Sequence, residues 1–307
     1  MFLKKEKLYK EAAVLLGILT YAYFVNWQSG NIGVMPIDSF GFLDTGYSIL
    51  KGHLPIRDFW IFTGLMVDYM EAAFIYIFGN NWNSHLAHSS FMNIVGTTGL
   101  YFFLKEYDLK ISYIVFYCLS FATLCYPLSG TPFAYIHAYI FSLIAIFTLL
   151  IAIKKNNKIL WFLIPYPCLF GFLSMQTPTA YILIVLLTLV IFHFYKEKNI
   201  QNLKFFIFGC ISSILLFLFF LFLTQTPIEN FIYQYLLFPI TIGEGRITSK
   251  DIAYISLIDQ INFKRLIGEF KFIHIFFIPL IFFALKNFKK KNKNLNTLNF
   301  AIIISVL

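Results

Sequence analysis

Long apolar runs, separated by short lysine-bearing breaks, set the pattern of this chain. A bilayer core takes about 20 apolar residues as a helix, with a range of about 17–25. Runs of that order predict membrane-spanning helices over 11–27, 86–104, 112–127, 134–153, 159–174, 179–195, 203–223 and 272–285. The first run has no small-residue cleavage site after it, so it reads as a retained span and not as a removed signal. A last apolar run opens at Thr297 and meets Leu307 after eleven residues, too few to cross, so the expectation is a C-terminally truncated chain.

Two stretches between the first and second spans read differently. Over 38–51, Phe40, Leu43, Tyr47 and Leu50 share one helical face, while Gly41, Asp44, Ser48 and Lys51 share another. The segment 60–78 is long enough to span but carries Asp68 and Glu71. Each acid at mid-membrane costs about 2.5–3.5 kcal/mol on an insertion scale.

Charge decides between the two readings of 60–78. If it does not span, the lysine clusters at 4–10, 105–110, 154–158, 196–204 and 286–293 all lie on one side, seventeen positive residues against seven. If it spans, the balance becomes nine against fifteen, so the positive-inside rule favours an interfacial helix over 60–78 and a cytoplasmic N-terminus. Residues 28–85 then form a first outer loop with two interfacial helices, and 224–271 a long later one. Asp68 and Glu71 read as the polar face of the second interfacial helix.

Composition agrees with this picture. The chain of 307 residues is 59% hydrophobic and 13% charged, against roughly 25% charged in soluble domains. The expected fold class is all-α, a single polytopic transmembrane domain in a bacterial inner membrane. The net charge of +9 sits in orientation clusters and therefore does not point to nucleic acid. The four cysteines lie inside apolar runs with no metal-type spacing.

Candidate chemistry concentrates in 35–79, which holds Asp38, Asp44, Asp58, Asp68 and Glu71. Pro36-Ile37-Asp38 reads as a helix start, so Asp38 is either an N-cap or a catalytic acid. Asp44 and Asp58 read first as solvated loop charges and second as ligands of a divalent metal; no cofactor is fixed by the sequence. The three arginines, Arg57, Arg246 and Arg265, all fall on the outer side, where a guanidinium suits phosphate or carboxylate. His85 and His88 have metal-type spacing but no third ligand in the sequence, so no metal site is expected.

The order of these residues resembles the first outer loop of the GT-C membrane glycosyltransferases. More narrowly, it is similar to glycosyltransferase family 39, the group of protein O-mannosyltransferases and aminoarabinose transferases. The matching features are Asp38, then Gly52, then Pro55-Ile56-Arg57-Asp58-Phe59-Trp60, closing on Ile77-Phe78-Gly79. SGTPFAYIHAYIFSLIAIF resembles the family's second outer loop entering a span, and GFLSMQTPTAYILIVLL its later turn. The chain departs from the family at Ser39, at Phe62-Thr63-Gly64 and at Met175, where an acid or a base is common.

The resemblance implies a GT-C-like core and sugar transfer at the outer membrane face. The donor would be a polyprenyl-phosphate-linked sugar and the acceptor a lipid, glycan or protein. Asp38 would be the general base, and Arg57 and Arg246, with Lys51, would hold the phosphate. Asp44 and Asp58 would bind the sugar. Two other readings are a transporter or flippase of lipid or polysaccharide and a non-catalytic membrane subunit. A transporter is expected to line its path with charge, and the predicted spans are almost free of it.

Overall fold

The computed structural model describes residues 2–61, 63–126, 129–242, 268, 278–282 and 285–286. Among the described residues every regular element is helical. They fall into two compact units, Met1–Leu183 with Ile200–Gln225, and Ile184–Asn199 with Thr226–Leu307. Of the predicted span over 272–285 only 278–282 and 285 are described, and the final run from Thr297, Arg246 and Arg265 lie outside the described residues.

The first unit contains α1 (Phe2–Gly30), α2 (Pro36–Leu50), α3 (Leu65–Phe78), α4 (Trp82–Glu106), α5 (Ile111–Leu124), α6 (Ala134–Lys155), α7 (Lys158–Leu163), α8 (Pro165–Ser174), the start of α9 (Gln176–Glu197), and α10 (Ile200–Leu223). The second contains the rest of α9, α11 (Ile228–Phe231) and a π-helical turn over Ile232–Leu237, where Phe231 stacks on Tyr235 at 5.1 Å. Among the described residues three helices, α6, α9 and α10, are long and apolar enough to cross a membrane.

In the first unit α1 packs on α4 and α5, α4 on α6, and α2 on α3; α3 also meets α4 and α8. Ile18, Tyr101, Ile114 and Cys118 form one apolar core joining α1, α4 and α5. Asn93 of α4 donates to the carbonyls of Ala22 (3.0 Å) and Ala122 (2.8 Å), and Asn26 of α1 donates to Ser89 (2.9 Å). Such amide bridges tie helices together where apolar packing alone gives no preference.

Two expectations change, and a third element is shorter than its run. The run over 159–174 breaks into α7 and α8 at Pro165, which lacks an N–H and clashes with the preceding turn. The run over 86–104 becomes the longer α4, which buries Ser84, His85, His88, Ser89, Ser90, Asn93 and Thr97 and is not among the three membrane-length apolar helices. The segment 60–78 yields the 14-residue α3, about 21 Å long at 1.5 Å per residue, short of an apolar core of about 30 Å.

Candidate functional site

The site is built on α2, α3 and the loop between them. Pro36 opens α2 with its fixed φ and missing N–H. The N-cap is Met35 and makes no side-chain cap bond, so Asp38 is not a cap. It sits in the first turn, where a carboxylate meets the positive end of the helix dipole. Asp38 is half-buried, its carboxylate makes no hydrogen bond among the described residues, and it lies within electrostatic reach of Tyr135 on α6.

The C-terminus of α2 closes with a Schellman motif. Gly52 has φ +89°, and the N–H groups of Gly52 and His53 bond the carbonyls of Ile49 and Ser48, both at 3.0 Å. Lys51 is exposed, its ammonium over the Tyr47 ring at 5.1 Å.

The loop then turns tightly through Pro55 to Phe59. Ile56 is buried with φ +69°, a strained position for a β-branched residue. Its N–H bonds the Phe59 carbonyl at 2.9 Å. Arg57 grips Asp58 through Nε (3.0 and 3.1 Å) and Nη2 (2.7 Å). It also donates from Nη2 to the Gly52 carbonyl and from Nη1 to the Thr224 carbonyl, each at 3.0 Å. Asp58 further accepts from Leu54 N–H at 2.8 Å. The hydrogen bond from Arg57, followed by that from Leu54, holds the Asp58 carboxyl at about 2 despite some desolvation. The expected phosphate clamp is therefore engaged internally, joining the loop to the end of α10.

Beside this turn is a recess of about 350 Å³ lined by Asp44, Thr45, Ser48, His53, Asp58 and aromatic side chains. Asp44 and Asp58 both line it. Asp38 and Lys51 are not on its wall. Arg246, the other expected clamp, lies outside the described residues. A second cavity, of about 230 Å³, is an apolar groove between α3 (Leu65, Met66, Tyr69), α8 (Leu169, Phe170, Leu173) and α10 (Leu216, Phe217, Phe220). Tyr69 and Phe220 meet edge to face at 5.0 Å, and Arg57 acts electrostatically on Tyr69.

Behind the recess are Asp68 and Glu71, expected on the polar face of an interfacial helix and found buried. Thr45, on the recess wall, donates to Asp68 Oδ1 at 3.1 Å, and Thr63 donates to the same oxygen. Asp68 is fully buried and its Oδ2 has no partner. Burial pushes it to about 7, against the two threonine bonds and with help from nearby Glu71.

Glu71, one turn on, accepts from His85 Nδ1 (2.9 Å) and meets His88 Nδ1 at 2.6 Å. Its burial alone would push it up, but the histidine hydrogen bonds and charges outweigh that and hold it at about 2. Gly46 allows this packing of α2 on α3, since a Cβ there would stand 2.8 Å from Glu71 Cγ. His88 Nε2 is 3.0 Å from His137 Nε2, and His137 Nδ1 is 3.0 Å from the Phe133 carbonyl.

Among the described residues no three His, Cys, Asp or Glu side chains are arranged to hold a metal. The imidazoles meet the carboxylate directly instead. The signal available in the sequence was the pairing of two i, i+3 sets, Asp68/Glu71 and His85/His88, on successive helices. No protein-family model, curated protein or solved structure matches the chain.

Proposed function

We propose that the chain is a membrane glycosyltransferase. It moves a sugar from a polyprenyl-phosphate donor to an acceptor hydroxyl at the outer membrane face, with Asp38 as general base. The observation that carries this reading is the meeting of an apolar groove, an arginine turn and an acidic recess. The groove between α3, α8 and α10 suits an isoprenoid tail. Arg57 bonds the chain at Thr224, one turn beyond the groove residue Phe220, and suits the phosphate. The recess with Asp44 and Asp58 suits the sugar.

In this reading the phosphate takes over the guanidinium edge that Asp58 holds in the free chain, and Asp58 turns to sugar hydroxyls. Asp38 accepts the acceptor's proton as the new C–O bond forms and the bond to phosphate breaks, the phosphate leaving as an anion. Asp38 suits the role because its carboxylate is half-buried and unbonded, whereas Asp58 and Glu71 are engaged.

The test uses membranes containing the full chain and a panel of radiolabelled polyprenyl-phosphate sugars. Label is expected to reach a lipid, glycan or protein acceptor, and Asp38→Asn to lower the rate by at least about 100-fold. Equal transfer by Asp38→Asn removes the base assignment; no transfer from any donor removes the reading.

A second reading, a proton-coupled transporter, is favoured by one observation, the buried Glu71–histidine cluster, since ionisable groups inside membrane proteins often mark ion paths. Proton flux into dye-loaded vesicles, with no label transfer, would select it.

A further inference from the structure

Asp68, Glu71, His85, His88 and His137 are each 0% exposed, although no part of the sugar-transfer scheme uses them. Burying so many ionisable groups is costly unless they are paired and bonded. The arrangement of three of them fixes a proton count.

The Phe133 carbonyl can only accept, so His137 Nδ1 carries a proton. The two Nε2 atoms, 3.0 Å apart, share one proton between them. One more lies between His88 Nδ1 and Glu71 Oε2 at 2.6 Å. Two neutral imidazoles and a carboxylate carry only two protons, so the three contacts require one extra. That proton has three equivalent bookkeeping positions: on Glu71, on His88 or on His137. Passing it along breaks one N–H or O–H bond and forms the next, without change in total charge.

We propose that Glu71, His88 and His137 form a buried relay holding one mobile proton, which links α3 to α6 through α4. His85 is a branch and not a link, because its Nδ1 serves Glu71 while its Nε2 has no partner. The groups facing Glu71 are His85 and His88 from α4 and Asp68 from α3 itself. His137 is reached from α6 through His88. From α2 the neighbour is Gly46, and the acids of that helix, Asp38 and Asp44, are half-buried and exposed. α8 contributes no carboxylate, imidazole or amine; its titratable groups are Tyr166, whose hydroxyl bonds Ser212, and the buried Cys168. Aromatic rings enclose the relay, Phe74 stacking on His88 at 5.3 Å and Tyr126 lying edge-on to His137 at 6.5 Å. The recess comes nearest the relay at its wall residue Thr45, which bonds Asp68 one helical turn before Glu71. This assignment stands whether or not the chain transfers sugar.

The test is solid-state NMR of the full chain in lipid nanodiscs, with ¹⁵N-histidine and ¹³C-carboxyl glutamate, at about pH 8, where free histidine is neutral. The expected result is one extra proton resident on a ring, seen as a doubly protonated imidazole beside an ionised Glu71; a protonated Glu71 beside two neutral rings would place the same proton at the other end of the relay. The Nε2 atoms of His88 and His137 should report one shared proton. Glu71→Gln should remove the extra proton, and His85→Gln should leave it. Neutral rings beside an ionised Glu71 in the wild-type spectrum overturn the relay, and that spectrum decides even if a variant fails to fold. An extra proton that survives Glu71→Gln, or a His88 signal with no link to His137, also overturns it.

Discussion

Asp68 and Glu71 are one helical turn apart, yet their environments pull them in opposite directions. Asp68 has two threonine donors and no cation, so burial dominates and raises it from 3.8 to about 7. The folded state then binds more protons than the unfolded one between those values, so stability falls as pH rises from about 4 to 7. The span corresponds to a loss on the order of 4 kcal/mol. Glu71 is lowered from 4.5 to about 2, so its contribution is complete above about pH 4.5 and is lost as pH falls toward 2. Thermal unfolding in detergent at stepped pH should show declining stability between about pH 4.5 and 7. Asp68→Asn should flatten that decline and raise the midpoint at neutral pH. A wild-type curve that climbs through this window, with the same slope in the variant, would contradict the assignment of Asp68.

At the scale of elements, the contact of α2 with α3 rests on a missing side chain. A Cβ at Gly46 would meet Glu71 Cγ at 2.8 Å, Ile75 Cδ1 at 3.0 Å and the backbone N of Ala72 at 3.1 Å. Glu71 cannot yield, because two imidazoles hold it. Gly46→Ala is therefore expected to cost about 1–3 kcal/mol despite alanine's better helix propensity. Gly17→Ala in α1, where nothing lies within 4 Å of the added carbon, should be neutral or stabilising by up to about 1 kcal/mol. Unfolding midpoints of the two variants should move in opposite directions or differ by several degrees. The sequence made α6 and α10 legible to within a few residues, because run length is itself the signal. It also located α2, whose apolar stripe is clear. It could not say whether the polar stripe of α4 meets water or another helix, since periodicity identifies a face and not its partner. The same limit hid the site. Glu71 finds its histidines 14 and 17 residues away, and Arg57 finds the Thr224 carbonyl 167 residues away. Local spacing showed the His85/His88 pair, but their link to His137 exists only once α4 packs on α6.

At the scale of the whole molecule, the question is what an apolar groove is for when it ends beside an engaged arginine. α10 is otherwise studded with exposed apolar side chains, among them Phe208, Ile211, Leu215 and Phe222, as expected of a helix meeting lipid. Phe217 and Phe220 are half-buried, and with the more exposed Leu216 they line the groove whose other walls are α3 and α8. In the proposed reading this is where the donor's tail lies, and its occupation fixes the phosphate near Arg57 and the sugar in the recess. Leu216→Trp narrows the groove without touching Arg57, Asp38 or the recess. It should raise KM for a full-length polyprenyl-phosphate donor about tenfold, equivalent to about 1.4 kcal/mol, with kcat little changed. A donor trimmed to one or two isoprene units should show equal KM in the wild type and the variant, because it never reaches the narrowed part. If both donors suffer alike, the groove does not hold the tail and the substitution has disturbed the fold. If neither does, the lipid enters elsewhere, and the adjacency of groove, arginine and recess loses its claim on the reaction.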